Sequence, residues 1–135
     1  MLADARVRFC IVGHSETRGR FGKLEIDAED TVYFAETERT VNHKVRALLF
    51  HNITPILCVG ETESERNFGK TETEIKAQLA GGLAGIEAAE LYNLVVAYEP
   101  VWAIGTGLVP TAKDVEEVHA LIRSDLKRLL GKEEG

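Results

Sequence analysis

Three short apolar runs along the chain predict β-strands: Val7–Val12, Pro55–Val59 and Leu94–Tyr98. The runs are rich in β-branched residues and do not alternate strictly with polar ones. This pattern is typical of parallel strands that are covered on both faces.

The segments between and after these runs have helical periodicity, with apolar residues three and four positions apart. Three amphipathic helices are predicted, with stripes formed by Val41, Val45, Leu48 and Leu49, by Ile75, Leu79 and Leu83, and by Val115, Val118, Leu121, Ile122, Leu126 and Leu129. Thr71 and Glu74 have the spacing of a capping box before the second stripe, and Gly131 is placed to end the third helix. Strands that alternate with helices predict βα units, and therefore a parallel sheet with right-handed crossovers.

The segment after the first strand fits this scheme poorly. Residues 19–36 are charged, with two short stretches that could be extended, and the excursion is long for a βα connection. We interpret about residues 20–35 as an insertion loop, and both a functional loop and a disordered one remain open. No repeat or linker divides the chain, so residues 1–135 are expected to form one domain.

Composition and charge narrow the function classes. The 135 residues are 44% apolar and 28% charged, with a net charge of −6, which suits a globular domain and argues against a nucleic-acid partner. No apolar run approaches the ~20 residues of a membrane span, and the first residues lack the apolar core of a secretory signal. A cytoplasmic protein without a membrane partner is therefore expected.

The two cysteines suggest no metal site. Cys10 and Cys58 each lie inside an apolar run, and neither has a histidine or second cysteine at zinc-ligand spacing. We expect two reduced, buried thiols and no bound metal.

Ionisable residues follow each predicted strand. In parallel βα arrays, ligands bind beyond the carboxyl ends of the strands. The first strand is followed by His14, Ser15 and Glu16, the second by Glu61 and the third by Glu99. An imidazole near a carboxylate suits proton transfer beside a carbonyl group. A histidine at a strand end is, however, often only a capping or solvated residue, and a glutamate before a helix can simply favour the helix dipole.

Strand alternation adds a geometric expectation. Cys10 and Val12 share a strand face with His14 if the alternation continues, and Val95 and Ala97 share one with Glu99. If both faces point inward, His14 and Glu99 meet across a cleft, on an inner face built from the four strand residues.

The segment after the third strand is the most distinctive. Residues 99–107 combine Glu99, a proline, a tryptophan and two glycines, Gly105 and Gly107. Glycines allow a backbone to approach a phosphate closely and offer it N–H groups.

The motifs GHSETR, TPILCVGET and AYEPVWAIGTG together resemble the triosephosphate isomerase family, in that family's order and spacing. The segments QLAGGLAGI and EVHALIR agree, so the resemblance covers nearly the whole chain apart from the insertion. It implies a partial (β/α)8 TIM barrel that interconverts D-glyceraldehyde 3-phosphate and dihydroxyacetone phosphate, a step of glycolysis and gluconeogenesis, without cofactor or metal. The implied partner is the small phosphorylated triose. Separately, the two open edges and the apolar inner face of a three-stranded parallel sheet predict association with further copies of the chain.

The resemblance also implies roles for individual residues, and the family is itself a standard example of this division of roles. His14 is the neutral electrophile, kept neutral by a helix N-terminus, Glu99 is the base, and Glu16 is a supporting carboxylate. Ser15 and Gly105 are implied to bind substrate, with Gly105 donating to the phosphate. The lid is implied to comprise Pro100, Val101, Trp102, Ala103, Ile104, Gly105, Thr106 and Gly107, with Tyr98 and Glu61 as lid contacts.

The chain departs from the family after the lid, at Thr17, in the insertion at about residues 20–35, and in length. Leu108, Val109 and Pro110 replace the usual Lys-Thr-Ala after the lid, and Thr17 replaces an arginine. Proline fixes φ, which predicts a stiffer trailing hinge. A complete barrel has eight strands in about 250 residues, so the chain is expected to supply about strands four to six. The family's substrate-binding Asn and catalytic Lys, on the first strand of the complete barrel, then have no counterpart here. Neither do the phosphate-binding loops after its seventh and eighth strands.

Two hypotheses follow for the 135-residue chain. It is a triosephosphate isomerase segment that is inactive or nearly so in isolation, or it is a non-catalytic, self-associating barrel fragment. An unrelated α/β phosphate-binding module is disfavoured by the three matched motifs.

Overall fold

The computed structural model describes residues 1–20, 29, 34–91 and 93–131. Three strands, β1 (Phe9–Val12), β2 (Thr54–Val59) and β3 (Val95–Tyr98), form a parallel sheet in the order β1-β2-β3. The helices are α1 (Glu38–Phe50), α2 (Glu63–Asn67), α3 (Thr71–Gly82) and α4 (Ala112–Leu130), with short 3₁₀ turns at Ala88–Glu90 and Val101–Ala103. The predicted order of parallel βα units is confirmed. The predicted insertion at about residues 20–35 falls largely outside the described residues.

The strand bounds differ slightly from those predicted. The first and third strands begin later than expected, at Phe9 and Val95, and the second begins one residue earlier, at Thr54. Apolar patterning extends into the flanking loops because Val7 and Leu94 pack against the core without joining the sheet.

The hydrophobic core lies between one face of the sheet and the helices. All three predicted stripes and the sheet contribute buried residues to it, among them Val12, Val41, Val45, Leu57, Val59, Ile75, Leu79, Val118 and Ile122. Burial of apolar area of this kind is the main favourable term in folding. The helical periodicity therefore identified the core-facing residues of each long helix.

Three helices begin with a capping box, but not the one predicted from sequence. Thr37 caps α1, Thr62 caps α2 and Thr111 caps α4, each accepting a hydrogen bond from a backbone N–H three residues on. The predicted box at Thr71 and Glu74 is wrong. Lys70 is the N-cap residue of α3 and makes no side-chain cap, because the Glu74 carboxylate bonds Arg20 and Gln78 instead. Gly131 follows the last residue of α4 with φ +95°, as expected for a helix stop.

The predicted strand parity is also wrong. Val12 pairs with Leu57, and Leu57 pairs with Val96, so Val95 and Ala97 lie on the opposite face from Val12. Gly13 has φ +71°, in the left-handed region that favours glycine, and it interrupts the alternation before His14. The backbone therefore turns after β1, and His14 does not continue the Val12 face.

The sheet face opposite the helices is open within the described residues. Phe9, Ile11 and Val95 are 57%, 61% and 42% exposed on it. We call this set, with Ile56 and Ala97, the open sheet face. Cys10 lies on the helix-facing side and is half-buried rather than fully buried, whereas Cys58 is buried, and both are free thiols.

No helix among the described residues is long and apolar enough to cross a membrane.

Candidate active site

The carboxyl ends of β1 and β3 bring His14 and Glu99 into direct contact. The His14 Nε2 atom lies 2.9 Å from the Glu99 Oε2 atom. The His14 side chain is 40% exposed and the Glu99 side chain 17% exposed. The two side chains expected to meet do meet, although Val12 lies on the opposite sheet face from Val95 and Ala97, and Gly13 interrupts the alternation before His14.

Ser15 fixes the Glu99 carboxylate with two hydrogen bonds. The buried Ser15 donates its backbone N–H to Oε1 at 2.9 Å and its hydroxyl to Oε2 at 2.6 Å. Both carboxylate oxygens are thus engaged, and hydrogen bonds to a carboxylate are among the stronger ones in proteins.

The local backbone orients the His14 ring. The Glu16 N–H donates to Nδ1 of His14 at 3.3 Å, which leaves Nε2 as the protonated nitrogen of the neutral ring. Residues 15–19 form successive hydrogen-bonded turns, closed by Thr17 and Arg18 onto the His14 carbonyl, and not the helix that the resemblance implied. The side chain of Glu16 itself is exposed, so only its backbone reaches the pair.

Two arginines hold this turn against the end of β2, Arg18 with a buried side chain and Arg20 with a half-buried one. Arg18 donates to the carbonyls of Gly13 and Cys58 and pairs with Glu38 at the start of α1. Arg20 pairs with Glu65. Burial raises the pKa of Glu38 despite this pairing, because its carboxyl is removed from water.

A second polar cluster surrounds Glu61 below the predicted lid. Glu61 is fully buried, and its Oε1 atom accepts hydrogen bonds from Tyr98 Oη and Trp102 Nε1, both at 2.7 Å. Burial raises the pKa of Tyr98, and the neighbouring Glu61 raises it further. Arg66 stacks over the Trp102 ring at 4.2 Å and pairs with Asp114 at 2.8 Å. Glu61 and Tyr98 thus contact the segment that the resemblance assigns to the lid.

That segment is anchored at its start and exposed at its tip. Val101 and Trp102 are buried, whereas Ile104 and Gly105 are exposed, and nothing lies near the position a Gly105 side chain would take. The Thr106 hydroxyl donates to the Trp102 carbonyl at 2.8 Å. The anchored part is therefore the leading end, beside Glu99.

Sequence reasoning missed several residues that support the site, chiefly Gln78, Arg18, Arg20 and Arg66. Gln78 carried a signal, because it falls on the apolar stripe of α3 between Ile75 and Leu79, where a polar residue needs a partner. The arginines carried none, since the carboxylates that bind them most closely, Glu38, Glu65 and Asp114, lie 20 to 48 residues away in sequence.

Among the described residues, no group of three or more His, Cys, Asp or Glu side chains could hold a metal ion.

The family model described as triosephosphate isomerase matches residues 1–135. Curated relatives bearing the same name include those of Carboxydothermus hydrogenoformans, 43% identical over 133 residues, and Clostridium tetani, 44% identical over 131. The relative from Moorella thermoacetica is 45% identical over 131 residues. These matches cover 97–98% of the chain but only 46–48% of each relative, so the chain spans about half their length. The parallel βα units are accordingly part of a TIM barrel, and the chain belongs to the triosephosphate isomerase family.

Proposed function

We propose that this chain carries the proton-transfer pair of a triosephosphate isomerase site, acting between D-glyceraldehyde 3-phosphate and dihydroxyacetone phosphate. The 2.9 Å contact between His14 and Glu99, in a chain of this family, is the observation that carries the proposal. The two sugars are isomers, so the reaction needs no net oxidant or reductant, and no cofactor is proposed.

In the proposed reaction the Glu99 carboxylate removes a proton from the carbon beside the carbonyl group and returns it to the neighbouring carbon. The Nε2–H group of His14 donates to the carbonyl oxygen and stabilises the charge that develops there. The hydroxyl proton on the carbon beside the carbonyl group passes to that oxygen, so that the old carbonyl becomes a hydroxyl and the old hydroxyl becomes the new carbonyl. Two features support these roles. The Glu16 N–H occupies Nδ1 of His14, and the Ser15 bonds hold the carboxylate at the end of β3.

We further propose that residues 100–107 close over the substrate, with Gly105 donating its N–H to the phosphate. The buried Trp102 is the fixed end of this movement, held by Glu61. Pro110, which has no backbone N–H, stiffens the other end.

The proposal is tested by transplanting this chain in place of the matching half of the Carboxydothermus hydrogenoformans relative. Glu99→Gln is expected to lower kcat of the chimera by at least about 10², the range of positioned acid–base catalysis. His14→Gln should have the smaller effect, because an electrophile only polarises the carbonyl. Glu63→Gln, an exposed carboxyl on α2, is the matched control and should leave turnover unchanged. Equal turnover of the chimera and its Glu99→Gln variant would refute the role of Glu99.

The 135-residue chain alone is expected to turn over at or below the detection limit. The phosphate loops and catalytic lysine implied by the resemblance have no counterpart in it, and losing even one charge-stabilising donor costs about 10²–10³ in kcat. Coupled assay of the purified chain measures this. A rate within about a hundredfold of a full-length relative would contradict it.

A non-catalytic, self-associating fragment is the second candidate function. The exposed side chains of Phe9, Ile11 and Val95 favour it, because apolar patches of this kind recruit another chain. We infer a homo-oligomer in the cytoplasm, where the two free thiols stay reduced. The acidic net charge supports the expectation of no nucleic-acid partner, and no membrane partner is proposed.

A further inference from the structure

Gln78 is a buried amide with a complete set of partners beneath the site. Its side chain is fully enclosed on α3, with 1% of the residue exposed. Oε1 accepts the Gly60 N–H at 2.9 Å, and Nε2 donates to the Gly60 carbonyl at 2.9 Å and to Glu74 Oε1 at 2.7 Å. Two hydrogen bonds to one residue fix both peptide groups that flank Gly60, much as a neighbouring strand would.

Gly60 in turn lies directly against the backbone of Glu99. A Cβ atom built on Gly60 would fall 1.6 Å from the Glu99 carbonyl oxygen, so only a glycine allows this approach. The Glu99 N–H donates at 2.8 Å to the carbonyl of Val59, the residue before Gly60. The end of β2 is therefore the surface on which the Glu99 backbone rests.

We propose that Gln78 is a positioning residue for Glu99: it clamps Gly60, and the clamped Gly60 sets where the Glu99 carboxylate meets Ser15 and His14. The proposal deepens the proposed function and rests on it, because Glu99 matters only as the base.

The clamp depends on Gln78 more than on its neighbours. Arg20 also reaches the Gly60 carbonyl, but at 3.3 Å and while pairing with two carboxylates. Gln78 alone holds both the N–H and the carbonyl of Gly60 among the contacts described for it. Glu74 orients the Gln78 amide. Its carboxylate oxygen can only accept a hydrogen bond, so the NH₂ group of Gln78 must face Glu74 and the amide oxygen must face the Gly60 N–H.

The test follows the Ser15 backbone N–H of the full 135-residue chain by NMR hydrogen exchange, because that group donates to Glu99 Oε1. Gln78→Met keeps the side-chain length but removes both bonds to Gly60. Ser15 exchange is expected to accelerate about tenfold, the effect of losing one hydrogen bond of about 1.4 kcal/mol. Glu99→Ala gives the value for complete loss of the carboxylate.

Asn42→Leu is the matched control. Asn42 is another buried amide, donating to the carbonyls of Gly82 and Ala84, away from Gly60. It should lower overall stability without a selective effect on Ser15. If Gln78→Met does not fold, Gln78→Glu keeps the acceptor for the Gly60 N–H and should accelerate Ser15 exchange by a smaller factor.

Unchanged Ser15 exchange in the folded Gln78 variant, or an equal change in Asn42→Leu, would overturn the positioning role. This readout requires no turnover, so it separates the clamp from the proposed chemistry. In the chimera, Gln78→Met should lower kcat about tenfold with KM nearly constant, since the base is displaced while substrate binding is retained. A change confined to KM would also contradict the proposal.

Discussion

The closest backbone approach in the site concerns Gly60 and Glu99. Glycine is required at position 60 for space, because the missing Cβ is what allows the Glu99 carbonyl to lie there. The side chain of the same Glu99 accepts both hydrogen bonds from Ser15. Position 60 therefore links local packing to the chemistry of the site.

Gly60→Ala is predicted to destabilise the chain by about 1–3 kcal/mol, the usual cost of forcing extra atoms into a packed region. Urea unfolding measures the change. Gly69→Ala is the comparison, because Gly69 is exposed with open space around it, so its φ of +69° makes backbone strain the only cost of an alanine there. Only Gly60→Ala should also alter the Ser15 amide resonance. If Gly60→Ala is as stable as the parent, the Gly60 backbone is not in tight contact with the Glu99 carbonyl.

At this scale the sequence predicted the side chains that meet at the candidate site, but not the residues that support them. His14, Ser15 and Glu99 were identified because they follow strands and match family motifs. The backbone path that brings them together was not predicted, because Gly13 has a left-handed φ that turns the chain after β1 and interrupts the strand alternation before His14. Gln78 could be identified as unusual on its stripe, but its partner could not be, because Gly60 lies 18 residues away.

The helices show how local chemistry sets element boundaries. Helix α4 begins at a capping box in which Asp114 accepts from the Thr111 N–H and hydroxyl, both at 2.8 Å. These bonds, with Arg66, lower the pKa of Asp114 to about 2. A carboxyl with a depressed pKa stabilises the fold above its ordinary value of 3.8 and loses that contribution as pH falls toward 2.

Asp114→Asn is therefore predicted to lower the melting temperature at pH 7, and the deficit relative to the parent should shrink as pH falls below 3.8. Thermal unfolding followed by circular dichroism at several pH values measures the difference. Glu117→Gln, an exposed change on the same helix, should show little pH-dependent difference. A deficit that does not depend on pH would rule out the ionised cap.

The three long helices were predictable from apolar spacing, but their N-terminal capping residues were not. Thr71 and Glu74 match the capping spacing, yet Glu74 lies next to Arg20 and Gln78 once the fold has formed. Burial raises the pKa of Glu74, and the nearby Glu65 raises it further, although the Gln78 hydrogen bond lowers it. Long-range contacts of this kind override a local motif, and no single helix sequence reveals them.

The whole molecule is a three-stranded sheet with helices on one face only among its described parts. Strands β1 and β3 are its edges, and the open sheet face exposes large apolar side chains. The parallel βα architecture was predictable from alternation of strand and helix patterns. Two of the four residues predicted for the open face, Val95 and Ala97, lie on it, whereas Cys10 and Val12 point toward the helices instead.

The chain is predicted to self-associate through the open sheet face at micromolar concentration, because exposed edges and apolar patches pair with other chains. Sedimentation equilibrium should give a mass above the 14.9 kDa of one chain. Ile11→Lys should shift the mass toward the monomer, whereas Phe68→Lys, at an exposed position outside the sheet, should not. A clean monomer for the parent chain would contradict the prediction.

Contact between His14 and Glu99 in this chain is the premise of the proposed chemistry. Its most direct test compares the NMR signals of the His14 ring N–H and the Ser15 amide in the parent chain and in Glu99→Ala. Proton NMR at about pH 8.5, where imidazoles are neutral, resolves both groups. We predict a hydrogen-bonded Nε2–H and an unprotonated Nδ1 that accepts from the Glu16 N–H in the parent, and loss of the downfield His14 and Ser15 resonances together in the variant. The exposed His43 ring should be unaffected. If the His14 and Ser15 signals do not respond to the loss of Glu99, the pair does not form in this chain.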